Sequence, residues 1–353
     1  MGGLPRQQSE LSERRSGLLT GSALALAALL AGAPATAAGV SDGRYLMGTV
    51  LEATVEAASD DAARAALEEV YAETARLEAL LTVFDPTSEV SRLNARAGEP
   101  PAAVSPELSR ILSDARRLSG VTRGAFDVTV GPLVRLWTEA GRSDTLPTPE
   151  VLTAARARVG ASGIVVESGR AGLARAGMSL DLGGLAKGWA LDRAAEILRR
   201  RGVTRALLSF GQSSLLALGR PPGGEGWRVL VRDPRGDYAG VVSLRDRSLS
   251  VSGSFAASSV IQGRRFGHVL DPRSGWPLTR AAQAVVLAPS GALAEALSKA
   301  LLVLEPEESL ALLTSQEGVE GLLIGEGGDL ARSGGFDAAT SWQPLARGAT
   351  APQ

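Results

Sequence analysis

The sequence predicts an α+β fold, and three observations carry that expectation. Short alternating or apolar runs of strand type are mixed with amphipathic helical runs, without the strict strand–helix alternation of a doubly wound parallel sheet. Helix starts are marked by Ser105-Pro106 and Thr148-Pro149, a hydroxyl cap followed by proline at the first helical position. No internal repeat and no linker interrupts the chain, so one domain is expected over residues 39–340, with a polar tail over 341–353. The charges of the 353 residues nearly cancel, to a formal net of −1, and there is neither a basic block nor an excess of aromatic residues, which argues against a nucleic-acid partner. The absence of cysteine excludes disulfides, thiolate nucleophiles and thiolate metal sites. A single histidine, His268, excludes a multi-histidine metal site.

Residues 1–38 read as an export signal. Arg14 and Arg15 precede an apolar run from Leu18 to Ala33, and Ala35-Thr36-Ala37 offers a small-residue cleavage site before Ala38. The run is short and rich in alanine and glycine, so no stable membrane span is expected after its removal. The paired arginines fit a twin-arginine signal loosely, and an ordinary secretory signal fits as well. Either route makes the mature chain periplasmic or exported.

In order, Arg44–Val55 alternates as a strand, and Asp60 or Asp61 can cap a helix that runs to about Leu81. Phe84–Asn94 reads as a turn and a short irregular segment. The Ser105 helix ends at Gly120, and Gly124–Trp137 reads as strand then helix, with Pro132 as the opener. The Thr148 helix runs to about Val159. Arg205–Phe210, Trp227–Arg232 and Gly240–Leu244 are strands, with Asp233–Asp237 as the turn between the last two. Leu249–Phe255 and Arg265–Asp271 are expected to pair with each other. Ala281–Ala288 is a strand, Ser290 caps a helix to Leu304, Pro306 opens another, and Gly321–Ile324 is the last strand.

The chain is organised around Ser179-Leu-Asp-Leu-Gly-Gly-Leu-Ala-Lys-Gly-Trp-Ala-Leu-Asp192. Met178–Leu182 is a short apolar strand with Asp181 at its end. Gly183 and Gly184 supply a turn that lets backbone approach a ligand. The helix that follows stops at Arg199-Arg200-Arg201 and Gly202. Lys187 lies in its first turn, where a cation opposes the helix dipole. Free N–H groups, two glycines and a lysine at a helix start suit an anion such as a phosphate. A solvated lysine after an ordinary turn is the plainer alternative.

Five segments then match one pattern in one order, Met47-Gly48-Thr49, Phe84 with Ser88–Asn94, Gly124–Trp137, Asp181–Asp192 and His268–Pro277, and Ala294–Lys299 matches it in part. Through them the chain resembles the ApbE family, the FAD:protein FMN transferases. The resemblance implies an enzyme that splits the pyrophosphate of FAD and passes FMN to a threonine of an acceptor flavoprotein. AMP is released, and magnesium assists. It implies FAD contacts from Met47, Phe84, Ala125, Phe126, Asp127, Asp181, Lys187 and Val269. It implies a catalytic place for His268, as proton acceptor or phosphate orienter, and for Glu295. A magnesium site would use the Gly184 carbonyl, Glu295, Ser298 and Lys299. Plain core packing is the alternative for Met47 and Phe84, and a cap or turn role for Asp127.

The sequence departs from the family at that metal site. The resemblance leads one to expect aspartate followed four residues later by threonine, where this chain has Glu295 and Lys299. An ammonium has donors and no acceptor, so it cannot ligate a cation. Three readings stand open: the ammonium takes the metal's place, Glu295 and Ser298 hold a displaced metal, or turnover is lost while flavin binding persists. At this spacing a surface ion pair is also ordinary. Phe210-Gly-Gln-Ser-Ser214 departs as well, with one glycine where the family has two, while Phe255 can serve as the aromatic expected after Ser252-Gly253. A flavin-binding or maturation protein without turnover and an FAD pyrophosphatase are the alternative functions.

Overall fold

The computed structural model describes residues 39–345, so the expected export signal lies outside the described residues. Where one strand was expected over Arg44–Val55, the chain makes an antiparallel hairpin, β1 (Gly39–Leu46) and β2 (Thr49–Glu56). Met47 and Gly48 turn it with φ of 50° and 77°, the left-handed values that match the twist of the flanking strands. Ser59, not Asp60 or Asp61, caps the helix Asp60–Leu81. The segment expected to be irregular contains a helix, Glu89–Ala95, capped by Ser88.

A two-residue strand β3 (Ala102–Ala103) precedes the helix Pro106–Val121. The loop 124–130 is not a strand; it leads through a single bridge, Val130 to Ser179, into the helix Gly131–Ser143. The helix Pro149–Arg156 and the hairpin of β4 (Ile164–Glu167) and β5 (Arg170–Leu173) follow. Met178–Leu182 is extended, but its only ladder contact is that same bridge. After the helix Ala186–Arg200 come β6 (Arg205–Phe210) and β7 (Ser214–Leu218). Next are β8 (Trp227–Arg232), β9 (Tyr238–Leu244) and β10 (Arg247–Gly253). Then β11 (Ser258–Ile261) and β12 (Arg264–Gly267) form a hairpin, and β13 (Ala282–Ala288) leads to the helices Gly291–Val303 and Pro306–Thr314. The described chain closes with β14 (Glu320–Gly325), β15 (Leu330–Arg332), the helix Phe336–Thr340 and β16 (Gln343–Pro344).

Eight strands form one antiparallel sheet in the order β1-β2-β6-β7-β10-β13-β14-β15. Both faces of its centre are covered, which explains why Leu215–Leu218 of β7 and Ala284–Ala288 of β13 are continuously apolar rather than alternating with polar residues. Leu216 and Leu218 of β7 join the core under the helices Asp60–Leu81 and Ala186–Arg200, while Leu215 and Ala217 join a second core. That second core packs against the small sheet β16-β9-β8 and the helix Phe336–Thr340. The result is a mixed α+β fold, as the sequence predicts.

Two expectations are corrected here. β10 pairs with β7 and β13, and β12 pairs with β11, so Leu249–Phe255 and Arg265–Asp271 are not ladder partners. The cause is the β11–β12 hairpin, turned at Gln262-Gly263 with φ of 50° and 74°. The boundary at 340 also falls too early. Trp342 is only 9% exposed, lies 5.9 Å from Phe336 between ring centroids, and packs in the second core. No helix among the described residues is long and apolar enough to cross a membrane.

Candidate active site

Two helices cross at glycine. A Cβ on Gly188 would meet the Gly291 carbonyl oxygen at 2.3 Å and Glu295 Cγ at 2.7 Å, so only hydrogen fits between Ala186–Arg200 and Gly291–Val303. Asp192 of the first helix accepts the Gly291 and Ala292 N–H groups of the second at 2.6 and 3.0 Å. A carboxylate there answers both the unpaired donors and the dipole of the second helix. Burial pushes the Asp192 carboxyl up to about 6, against the lowering effect of those two bonds. The crossing places Lys187 beside Glu295.

Glu295 is 2% exposed. Ser214 Oγ donates to its Oε1 and Lys299 Nζ to its Oε2. Burial pushes its carboxyl up, but the Lys299 and Lys187 charges and these hydrogen bonds outweigh that and hold it below the usual carboxylate range. Lys187 Nζ donates to Ser213 Oγ at 2.6 Å. Burial lowers the Lys187 ammonium below the ordinary lysine range; Glu295 opposes that shift and Lys299 adds to it. Ser298 is buried and faces the sheet, where its hydroxyl lies 2.9 Å from Ser250 Oγ and 2.8 Å from Ser252 Oγ. Two ammonium groups against one carboxylate leave a net positive charge beside the start of Ala186–Arg200, which no side chain caps. Such a charge and such a helix start suit an anion.

Gly184 lies next to Lys299 and the Phe126 ring. A Cβ on Gly184 would lie 3.2 Å from Lys299 Cδ and Cε and 3.4 Å from the Phe126 ring. Gly183 and Gly184 do not have left-handed φ, so here glycine provides room rather than backbone freedom. Asp181 Oδ1 accepts the Gly183 N–H at 2.9 Å, and Asn94 clamps Leu180 just before it through bonds of 2.7 and 3.0 Å. The β6–β7 turn holds its shape without a second glycine, because Gln212 itself takes φ 62° beside Gly211 at 52°. Gly211 N–H donates to the Val50 carbonyl, which joins this turn to the Met47 hairpin.

His268 follows β12 and is exposed. Its Nδ1 lies 3.1 Å from the Ala257 carbonyl and 3.3 Å from the Ala257 nitrogen, so one backbone residue holds the ring, with Nδ1 as donor or acceptor according to the tautomer. Desolvation by surrounding protein, helped by the Lys299 and Lys187 charges, lowers its imidazole below the ordinary histidine range. Both lysines therefore act on His268. The turn after it is rigid. Asp271 N–H donates to the Trp276 carbonyl, and Trp137 Nε1 donates to the Gly275 carbonyl at 2.8 Å. Val269 packs against the core, and its carbonyl accepts the Leu278 N–H.

Three expected contacts are differently employed. The Asp127 carboxylate is 6% exposed and accepts from Thr129 N–H and Oγ1, Ala161 N–H and Ser119 Oγ, so it stitches the loop and offers nothing to a ligand. Ala125 and Phe126 are buried, and both N–H groups donate to Thr122. Only the Phe126 ring, against Gly184, reaches the site. Met47 is half-buried at the hairpin tip, while Phe84 is 94% exposed and not core. Asp192, Ser213, Ser214 and the Gly188–Gly291 crossing were missed in the sequence. A glycine inside a helical run, Gly188, was the available sign of close approach.

A divalent metal does not fit these residues as they stand. Among the described residues no group of three or more acidic or histidine side chains can hold a metal ion. Both Glu295 oxygens and the Ser298 hydroxyl are already bonded, and the Lys299 ammonium sits on the one carboxylate.

Known proteins supply a frame for this geometry. The profile of the ApbE family matches residues 47–342. An FAD:protein FMN transferase of Klebsiella pneumoniae is 31% identical over 304 residues, 83% of this chain and 86% of that one. The ApbE protein of Thermotoga maritima superposes with a TM-score of 0.78 at 26% identity, covering 85% of this chain and 98% of the other. The flavin transferase ApbE of Vibrio cholerae does so with a TM-score of 0.76 at 26% identity, over 86% and 99%. The family match spans most of the described residues, the relatives share the sequence over most of its length, and the chain belongs to the ApbE family.

Proposed function

We propose that the protein is an exported FAD:protein FMN transferase. It binds FAD, splits the pyrophosphate and attaches FMN through a phosphoester to a threonine of an acceptor flavoprotein. The carrying observation is the pair Lys187 and Lys299 at an uncapped helix start, with one buried carboxylate between them. A pyrophosphate is the anion that such a site suits, and the relatives are named for transferring FMN from FAD. The threonine oxygen attacks the FMN-side phosphorus. The bond from that phosphorus to the bridging oxygen breaks, and its electron pair leaves on AMP. The hydroxyl proton passes to a base; His268, the single histidine of the chain, held at Nδ1 by Ala257, is the candidate. Positioning and charge neutralisation are the main tasks in such a transfer.

The test is AMP release from FAD by the purified chain, with and without a threonine-bearing acceptor. Acceptor-dependent AMP with flavin bound to the acceptor is expected, and Lys187→Met should lower it about 100-fold. Free FMN without acceptor would make the protein an FAD pyrophosphatase. The Lys299–Glu295 pairing favours a second reading, a flavin-binding or maturation protein without turnover, in which FAD survives the incubation. Export rests on the arginine pair and apolar run of residues 1–38. Fractionation of cells carrying the chain with and without those residues tests it; retention of both forms in the cytoplasm would refute it.

A further inference from the structure

We infer that the Lys299 ammonium stands in for a divalent cation, so that this chain binds the pyrophosphate of FAD without a metal. The inference rests on the proposed function for the identity of the anion. Its support lies in how Lys299 is held. Nζ donates to Glu295 Oε2 and lies 3.2 Å from the Glu295 carbonyl, one helical turn back. An ammonium has three N–H donors, so one is left for a ligand. The side chain of Glu295 is 3% exposed and that of Lys299 is 23% exposed. The carboxylate is thus the buried anchor, and the ammonium is the part that reaches the open site. The stem of Lys299 runs along Gly184, where any side chain would crowd its Cδ and Cε, and this directs it across the turn that precedes Lys187.

The same contacts close the place to a metal. Magnesium demands near-octahedral oxygen ligation at about 2.1 Å and keeps several waters. Here Glu295 has Ser214 on one oxygen and Lys299 on the other, and Ser298 is turned to Ser250 and Ser252. Binding a metal would require expelling a cation from a buried carboxylate. Without an anion, Lys187 and Lys299 repel each other across Glu295. A pyrophosphate relieves that repulsion.

The experiment is FAD binding by the full chain, followed by flavin fluorescence, in chelator and in millimolar magnesium. The expected result is the same Kd in both buffers, and a Kd weakened about 10- to 100-fold in Lys299→Met, which removes one charge-assisted hydrogen bond. Native binding that tightens about 10-fold or more with magnesium overturns the inference while leaving the proposed function standing. An unchanged Kd in a folded Lys299→Met does the same. No FAD binding in either buffer overturns the proposed function and this inference together. The native protein in two buffers needs no variant, so a misfolded Lys299→Met does not spoil the test.

Discussion

Asp127 and Glu295 are both buried carboxylates, and the protein satisfies them in opposite ways. Asp127 takes two backbone N–H groups and two hydroxyls, all neutral, three of them from within eight residues and one from Ala161, 34 residues on. Glu295 takes one hydroxyl and one ammonium, and a second ammonium, Lys187, acts on it through space. A carboxylate filled by neutral, rigid donors has nothing left to exchange, so it holds a loop. A carboxylate balanced by charged side chains can share those charges with an incoming anion, so it anchors a site. Burial alone separates neither case; the identity and freedom of the partners do.

The largest expected effect sharpens the structural half of that contrast. Asp127→Ala leaves the Thr129 and Ala161 N–H groups without acceptors and should lower stability by about 3 kcal/mol or more in urea unfolding. A loss below about 1 kcal/mol would break the contrast, because Asp127 would then be free to serve a ligand.

Next comes the crossing on which Glu295 depends. Gly188→Ala drives a methyl into the Gly291 carbonyl and Glu295 Cγ, and should cost about 2 kcal/mol. FAD affinity should fall with it, because the separated helices no longer hold Lys187 by Glu295. Unaltered FAD binding in a destabilised Gly188→Ala would show that the site tolerates the shift.

The smallest effect concerns a third carboxylate that lies between the two cases. Asp192 accepts two backbone N–H groups, as Asp127 does beside its two hydroxyls, yet its carboxyl is pushed up from 3.8 to about 6 by burial. As pH rises, the unfolded chain gives up this proton first, so the folded protein binds more protons between about pH 4 and pH 6. The Asp192 contribution is therefore full below the unfolded value and declines as pH rises through the folded one. Its size is about 1 to 2 kcal/mol after allowance for partial solvent access. Asp192→Asn should remove that slope from the pH dependence of unfolding. An identical slope in the variant would assign it elsewhere.

Much of the local structure was legible. The hydroxyl caps at Ser105, Thr148 and Ser290 begin the helices expected of them, because an Ncap side chain and the N–H it satisfies are three residues apart. The hairpin turns at Met47-Gly48 and Gln262-Gly263 were not legible, because methionine and glutamine carry no left-handed signal. Lys187 stood out by its conflict with the helix dipole, and in the structure its ammonium is bonded to Ser213 rather than simply solvated. Asp127 looked like a ligand contact in the sequence because the donors to a carboxylate can be counted only once its neighbours in space are known.

What the sequence by itself determined is the α+β mixture, the helix starts, the apolar centres of the strands and the segment from Asp181 to Lys187. These follow from caps and periodicities that span a few residues. Only the tertiary structure decided which groups meet: Ser214 with Glu295 across 81 residues, Asp192 with Gly291 across 99, and Gly188 against Gly291. Such meetings depend on the order of strands in the sheet and on how closely two helices can approach. Both are set by packing across the whole core, and no local stretch of sequence encodes them.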